Sequence, residues 1–252
     1  MSTTQAKIKN PQSGIRLADT GLILACGGSG QRFGPDRNKL LLDWRGIALF
    51  CHPLRTFLAL VLPEHAVVVA PAPLLDAFRA AMDAAGIPRG VRIVAGGATR
   101  QKSVANGLAA LPEAVRIVAV QDGARPCTTV ELFLACAESA RTHGSGVAAR
   151  PVTDTIKVAD AEGNVKNTPD RATLWAAETP QTFRRERLED GLCFIRQHNL
   201  AVTDDAQAVE LAGHATRLIH AAAPNPKVTF PSDLGRLPAT VFNSNPAPRE
   251  NP

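Results

Sequence analysis

Short, continuously apolar runs alternate with segments whose apolar residues recur at helical spacing along most of the chain. Gly21–Cys26 (GLILAC) is such a run, stopped by glycines, which is the pattern of a strand buried on both faces of a parallel sheet. Ala66–Ala70 (AVVVA), Val91–Val94 and Arg116–Gln121 (RIVAVQ) read the same way, and Gly146–Val152 follows as a fifth strand. Between them Ala48–Leu60, Leu74–Ala85, Ser103–Leu111 and Thr129–His143 carry helix-like patterns, with Gly86 and Pro88 closing the second and Gly144 the last. Alternation of this kind means βαβ units. It predicts an α/β fold: an open, mostly parallel, Rossmann-like sheet with helices on both faces.

The alternation breaks at Pro151–Gln181. There Thr153–Val158 and Ala172–Ala176 flank a polar centre containing Gly, Asn and Pro, which predicts an extended hairpin leaving the main sheet as a projecting β-arm. Helices resume at Arg184–Gln197 and Asp204–Ala212, followed by a strand at Thr216–Ile219. Residues 1–20 read as an N-terminal extension and residues 21–238 as one domain that carries the arm at 151–181. Residues 239–252, ending in a stretch rich in Asn and Pro, read as a disordered tail.

Composition narrows the possibilities by exclusion. With 45% hydrophobic and 20% charged residues in 252, the chain has an ordinary globular balance. Aromatics are 4% with no Tyr, and no helix clusters Arg with Lys, so a nucleic-acid partner is not expected. No run approaches the ~20 apolar residues of a membrane span, and residues 1–20 lack the apolar centre of a secretory signal. The 5 cysteines are odd in number and form no C-x-x-C, which points to a reducing, cytoplasmic setting rather than disulfides or zinc. The net charge of +5 suits a polyanionic ligand without choosing among them.

Two segments carry candidate chemistry. Gly27-Gly28-Ser29-Gly30-Gln31-Arg32-Phe33-Gly34 follows the first strand, where glycines let backbone N–H groups close around phosphate oxygens. It is not a P-loop, because no G-K-[ST] ends it. No acid stands at the end of the second strand, Ala70-Pro71-Ala72-Pro73, which disfavours a dinucleotide. Arg32 and Lys39 are cations on this segment, able to neutralise charge growing on a phosphorus, or else simply solvated surface charges. Gln121-Asp122-Gly123-Ala124-Arg125-Pro126 closes the fourth strand, at the sheet edge where ligands of open α/β sheets lie. Asp122 could hold a hard cation such as Mg²⁺, or could pair with Arg125 to stabilise a turn.

These segments belong to a longer series: GSGQRFG at 28–34, Lys39, GGATRQKSV at 96–104, QDGARP at 121–126 and PVTDTIK at 151–157. DR at 170–171, LWAAETPQTF at 174–183, TDDA at 203–206 and NPKVT at 225–229 complete it. In this order the series resembles the 2-C-methyl-D-erythritol 4-phosphate cytidylyltransferases, a family of sugar-phosphate nucleotidyltransferases, from about Gly21 to Leu237. The resemblance implies transfer of a cytidylyl group from CTP to methylerythritol phosphate, with pyrophosphate released, in non-mevalonate isoprenoid synthesis. It implies that Arg32 and Lys39 stabilise the transition state, that Asp122 binds Mg²⁺, and that Arg171 and Lys227 position methylerythritol phosphate with Thr155 and Thr179 nearby. Gly28, Ser29 and Gly30 of the glycine loop, with Gly97, Ala98 and Ser103, fall on the cytosine-recognition positions, and Arg125 and Thr203 on further substrate contacts. The arm is implied to form a homodimer and to send Thr155 and Arg171 into the neighbouring subunit's site.

The family more often has two alanines where Cys26-Gly27 stands, and His where Gln121 stands. Neither departure removes a charged group. The competing readings are a cytidylyltransferase acting on ribitol 5-phosphate and a catalytically silent nucleotide-binding regulator. The six histidines have no partner at motif spacing and read as structural or solvated. Trp175 reads as part of the arm core or a dimer contact, and Cys127 as buried packing.

Overall fold

The computed structural model describes residues 17–27 and 38–238. Its chain order is β1 (Thr20–Ala25), the small hairpin β2 (Asp43–Trp44) and β3 (Ile47–Ala48), α1 (Cys51–Leu58), β4 (Ala66–Ala70), α2 (Leu75–Ala84), β5 (Arg92–Ala95) and α3 (Arg100–Ala110). There follow β6 (Ile117–Asp122), α4 (Val130–His143), β7 (Ser145–Pro151), the short β8 (Val158–Ala159) and β9 (Val165–Asn167), β10 (Trp175–Arg184), α5 (Arg185–Gln197), α6 (Asp205–Leu211) and β11 (Leu218–His220).

Among the described residues, seven strands form the main sheet in the order β11-β7-β10-β6-β1-β4-β5. β1 pairs in parallel with β4 on one side and with β6 on the other, so the chain builds outward to β5 and then returns across β1. That reversal opens a crevice beyond the carboxyl ends of β1 and β6, the place where open α/β sheets bind ligands. Asp122 is the last residue of β6 and lies in register with Ala25 at the end of β1.

The strict two-residue alternation of side chains divides the core between the two faces of the sheet. Leu22, Leu24, Val68 and Ala119 face a layer containing Phe50, which precedes α1, and Leu54, Phe57, Phe78, Met82 and Phe133 from α1, α2 and α4. Ile23, Val67, Val69, Val118 and Val120 face Val104, Leu108, Leu188 and Val209 from α3, α5 and α6. Every one of these strand residues is fully buried, and each large apolar side chain so buried contributes roughly 1.5–3 kcal/mol. α4 ends where Gly144 takes φ 90, a left-handed conformation that costs glycine little.

Two differences from the expectation have local causes. α3 begins at Arg100, three residues before the predicted Ser103, because the Thr99 hydroxyl accepts a hydrogen bond from the Lys102 amide and caps the helix there. The predicted arm, 151–181, is too long at its second end. β10 pairs antiparallel with β6 and β7, and Glu178, Thr179, Gln181 and Thr182 are buried inside the sheet. These polar side chains hid a central strand from the hydrophobic pattern. The projecting part keeps only the β8–β9 hairpin and its flanks, whose Ile156, Val158, Val165 and Trp175 stay exposed within one chain.

Candidate active site

The crevice is built around Asp122. The β6 strand buries this side chain to 11% exposure, and the Asp122 backbone amide donates to the Thr179 hydroxyl at 3.1 Å, which locks β6 to β10 at this point. One carboxylate oxygen, Oδ2, lies 2.6 Å from the Lys227 ammonium; the other, Oδ1, has the Arg100 guanidinium at 3.7 Å, beyond hydrogen-bond reach. Burial pushes the acid up, but the Lys227 and Arg100 charges outweigh it and hold the carboxyl below the usual carboxylate range. Asp122 is therefore an anion at neutral pH. The alternative pairing with Arg125 is not what forms: the Arg125 side chain turns to Glu178 at 3.8 Å and donates to the Asn225 carbonyl at 2.6 Å.

Lys227 reaches Asp122 because the preceding and following residues are fixed. Asn225, 2% exposed, donates through Nδ2 to Glu178 Oε2 at 3.0 Å and to the Thr179 carbonyl at 2.8 Å, and accepts from the Thr128 hydroxyl at 2.9 Å. The Val228 amide donates to the Ala124 carbonyl at 2.8 Å. Lys39 donates to the Val228 carbonyl, also at 2.8 Å. Lys39, Lys227 and Asp122, far apart in sequence, thus meet through a single strap, residues 225–228.

The carboxyl ends of β1 and β5 meet at Ser103. Its hydroxyl accepts from the Gly97 amide at 3.0 Å and donates to the Thr99 carbonyl at 2.9 Å. A side-chain carbon on Gly27 would stand 3.3 Å from that hydroxyl, and one on Gly96 would stand 3.0 Å from it. Ser103, Gly97 and Gly27 therefore share one small-residue wall of the crevice, with exposed Ala98 on the same loop. Thr203 lies at the start of the segment leading into α6, its hydroxyl donating to Gln207 Oε1 at 3.1 Å.

Of the remaining expected residues that are described, Thr155 and Arg171 are not brought to the Asp122 group. Thr155 and Arg171 are exposed on the arm, and Arg171 donates to the Thr153 carbonyl at 3.0 Å, not to any described group around Asp122. Gly28, Ser29, Gly30 and Arg32 lie outside the described residues, as does the tail from 239. Trp175 is 40% exposed and stands edge-on to His220 rather than in a core. Cys127 is buried, which pushes its thiol up to about 11 and fits packing rather than reactivity.

Sequence reasoning missed Arg100, Asp205, Gln181, Glu178 and Asn225. Arg100 NH1 lies 2.7 Å from Oδ2 of Asp205, which is fully buried. Burial pushes Asp205 above the usual range even with Arg100 against it. Gln181 accepts from the Asp205 and Ala206 amides at 3.1 Å each and donates to Asp204 at 2.8 Å, joining β10 to α6. The available signal was the second acid of Asp204-Asp205. One caps α6 through the Gln207 amide, so the other needed a cation.

Among the described residues no group of three or more His, Cys, Asp or Glu could hold a metal ion. Asp122 is a single hard oxygen donor, which fits an ion that arrives with phosphate and water oxygens, as Mg²⁺ commonly does, and not a metal caged by protein alone. Among the described residues no helix is long and apolar enough to cross a membrane.

A doubly wound sheet with a small-residue wall and converging cations at its switch point defines a Rossmann-like nucleotidyltransferase. Comparison with known proteins narrows the class. The family model described as 2-C-methyl-D-erythritol 4-phosphate cytidylyltransferase matches residues 21–242, and the chain belongs to that family. The protein of that name from Synechococcus sp. (strain WH7803) is 42% identical over 213 residues, covering 84% of this chain and 95% of its own. Its counterpart from Synechococcus sp. (strain CC9902) is 41% identical over 229 residues, covering 90% and 99%. The crystal structure of the enzyme of that name from Thermus thermophilus superposes with a TM-score of 0.70 at 29% identity, covering 87% of this chain and 97% of that one.

Proposed function

We propose that the chain transfers a cytidylyl group from CTP to 2-C-methyl-D-erythritol 4-phosphate, giving 4-CDP-2-C-methyl-D-erythritol and pyrophosphate in isoprenoid precursor synthesis. The observation that carries this reading is the placing of Lys227 and Arg100 against ionised Asp122 at the switch point, with Lys39 held on the neighbouring Val228 carbonyl. A phosphate oxygen of the acceptor attacks the α-phosphorus of CTP. One P–O bond forms, the bond to the β-phosphate breaks, and the electron pair leaves with pyrophosphate. The attacking phosphate is already an anion at neutral pH, so the reaction needs no general base from the protein.

What the protein must supply is alignment of two polyanions and neutralisation of charge at the α-phosphorus. Lys39 and Arg32 are assigned to the triphosphate, Lys227 to the phosphate that meets it, and Arg125 and Thr179 to the acceptor side. Gly28, Ser29, Gly30, Gly97, Ala98 and Ser103 are assigned to the cytidine, with Thr203 as a further substrate contact. Asp122 is the residue to hold Mg²⁺, which would neutralise phosphate charge as a Lewis acid. Thr155 and Arg171 are exposed on the arm, with Arg171 turned to the Thr153 carbonyl and not to the Asp122 group, which supports a homodimer in which the arm (residues 152–174) reaches the partner's site. The cytoplasm is the compartment in which we place the enzyme.

Pyrophosphate release from CTP and Mg²⁺, with methylerythritol phosphate and ribitol 5-phosphate offered in parallel, tests the substrate. Release with methylerythritol phosphate alone, falling about 10²–10³-fold in Lys39→Ala, is expected for a lost transition-state cation. Preference for ribitol 5-phosphate would overturn the acceptor, and silence with both would overturn the reaction.

A further inference from the structure

Asp122 has one cation in contact with Oδ2 and a second 3.7 Å from Oδ1, and both charges oppose the arrival of a third. The two partners differ in what holds them. Arg100 lies against Asp205, fully buried, at 2.7 Å, so moving Arg100 away strips a buried carboxylate of its counter-ion. Lys227 has no such second commitment. Its side chain is 46% exposed and, among the described residues, its ammonium pairs with Asp122 alone, while Asn225 and Val228 fix the backbone on either side. The ammonium can therefore swing into water without disturbing the strap. It sits 2.6 Å from Oδ2, so a divalent ion such as Mg²⁺, seeking that oxygen at roughly 2.0–2.1 Å, meets a like charge beside it.

We propose that Lys227 is a placeholder cation on Asp122, displaced when a divalent ion arrives with nucleotide and thereby released to bind substrate phosphate, while Arg100 stays in place as the positioning residue of the carboxylate. The inference rests on the proposed transfer reaction for its purpose, but not for its test. The exchange conserves favourable contacts: one carboxylate passes from ammonium to metal as one ammonium passes from carboxylate to phosphate. It also opposes metal occupancy before nucleotide is present, since an ion without phosphate oxygens must displace Lys227 with only water, and no anion, for the ammonium to move to.

The test is titration of the full chain with Mn²⁺ in the absence of nucleotide, reading free Mn²⁺ by electron paramagnetic resonance. Lys227→Ala is expected to bind Mn²⁺ about tenfold tighter than wild type, because a positive charge next to the carboxylate is gone. Adding Asp122→Asn to that variant is expected to abolish the gain. Lys227→Arg, which keeps the charge, is expected to bind within about twofold of wild type, and it serves if the alanine variant does not fold. Equal or weaker Mn²⁺ binding by Lys227→Ala, a gain that survives Asp122→Asn, or a gain in Lys227→Arg would each overturn the proposal. Pyrophosphate release by the wild-type preparation is read separately. A silent wild type would refute the transfer reaction, whereas unchanged Mn²⁺ affinity in an active preparation refutes the exchange alone.

Discussion

Asn225 offers the sharpest test of how the crevice is held together. Truncation in Asn225→Ala removes the three side-chain hydrogen bonds to Glu178, Thr179 and Thr128. Their losses are unequal. Thr128 keeps the Arg125 carbonyl as an acceptor at 3.2 Å, whereas Glu178 Oε2 loses its hydrogen-bond donor and retains, among the described residues, only the Arg125 guanidinium at 3.8 Å. At ~1 kcal/mol per bond, discounted where a second partner remains, the expected cost is about 2–3 kcal/mol. For a chain of this size that lowers Tm by about 5–10 °C in a thermal melt followed by circular dichroism. Asn225→Asp is nearly isosteric, yet it sets a carboxylate against buried Glu178 and removes the donor, so its melt should fall further than that of alanine. A drop of less than about 2 °C for alanine, or an aspartate variant as stable as the alanine one, would refute the reasoning.

Three other outcomes are expected. Thr179→Val deprives the buried Asp122 amide of its acceptor and should cost about 1–3 kcal/mol in denaturant unfolding; an unchanged midpoint would count against the β6–β10 lock. Gly146→Ala would put a carbon 2.3 Å from the Cys136 carbonyl oxygen and 2.9 Å from its Cα, atoms that cannot rotate away. It should cost at least about 1–3 kcal/mol by overpacking, read as a lower melting temperature or loss of soluble protein. Asp19 accepts from Arg141 Nε at 3.2 Å and NH2 at 2.6 Å, which lowers its acid below the ordinary range. A lowered acid adds stability that is present above the unfolded carboxylate value and is lost as pH falls through the folded one. Asp19→Asn should therefore cost about 0.5–1 kcal/mol at neutral pH, since the pair is partly exposed, and almost nothing near pH ~2.

The parallel half of the sheet was legible because β1, β4 and β6 are apolar on both faces, and continuous runs of Val, Ile and Ala have few other uses. β10 was not, since its buried centre is Glu178, Thr179, Gln181 and Thr182. Partners distant in sequence, Asn225, Asp122 and Asp204 among them, satisfy several of these groups, and a local pattern cannot show that. The same holds for the candidate site. Asp122 could be picked out at a strand end, but its counter-ions were open to several assignments until the strap at 225–228 brought Lys227 to it. Arg100 was hidden for a different reason. At the start of a helix it reads as a solvated charge, and only the full burial of Asp205 reveals that it carries a buried ion pair.

The most direct test of the central assignment is pyrophosphate release from CTP and methylerythritol phosphate by wild type and Asp122→Asn, with both melts recorded. The account expects the asparagine variant to stay folded, because Thr179 still holds its amide, and to lose about 10²–10³-fold in rate. A folded Asp122→Asn enzyme working within about twofold of wild type would contradict it, and would move the site of transfer away from the β1–β6 crevice.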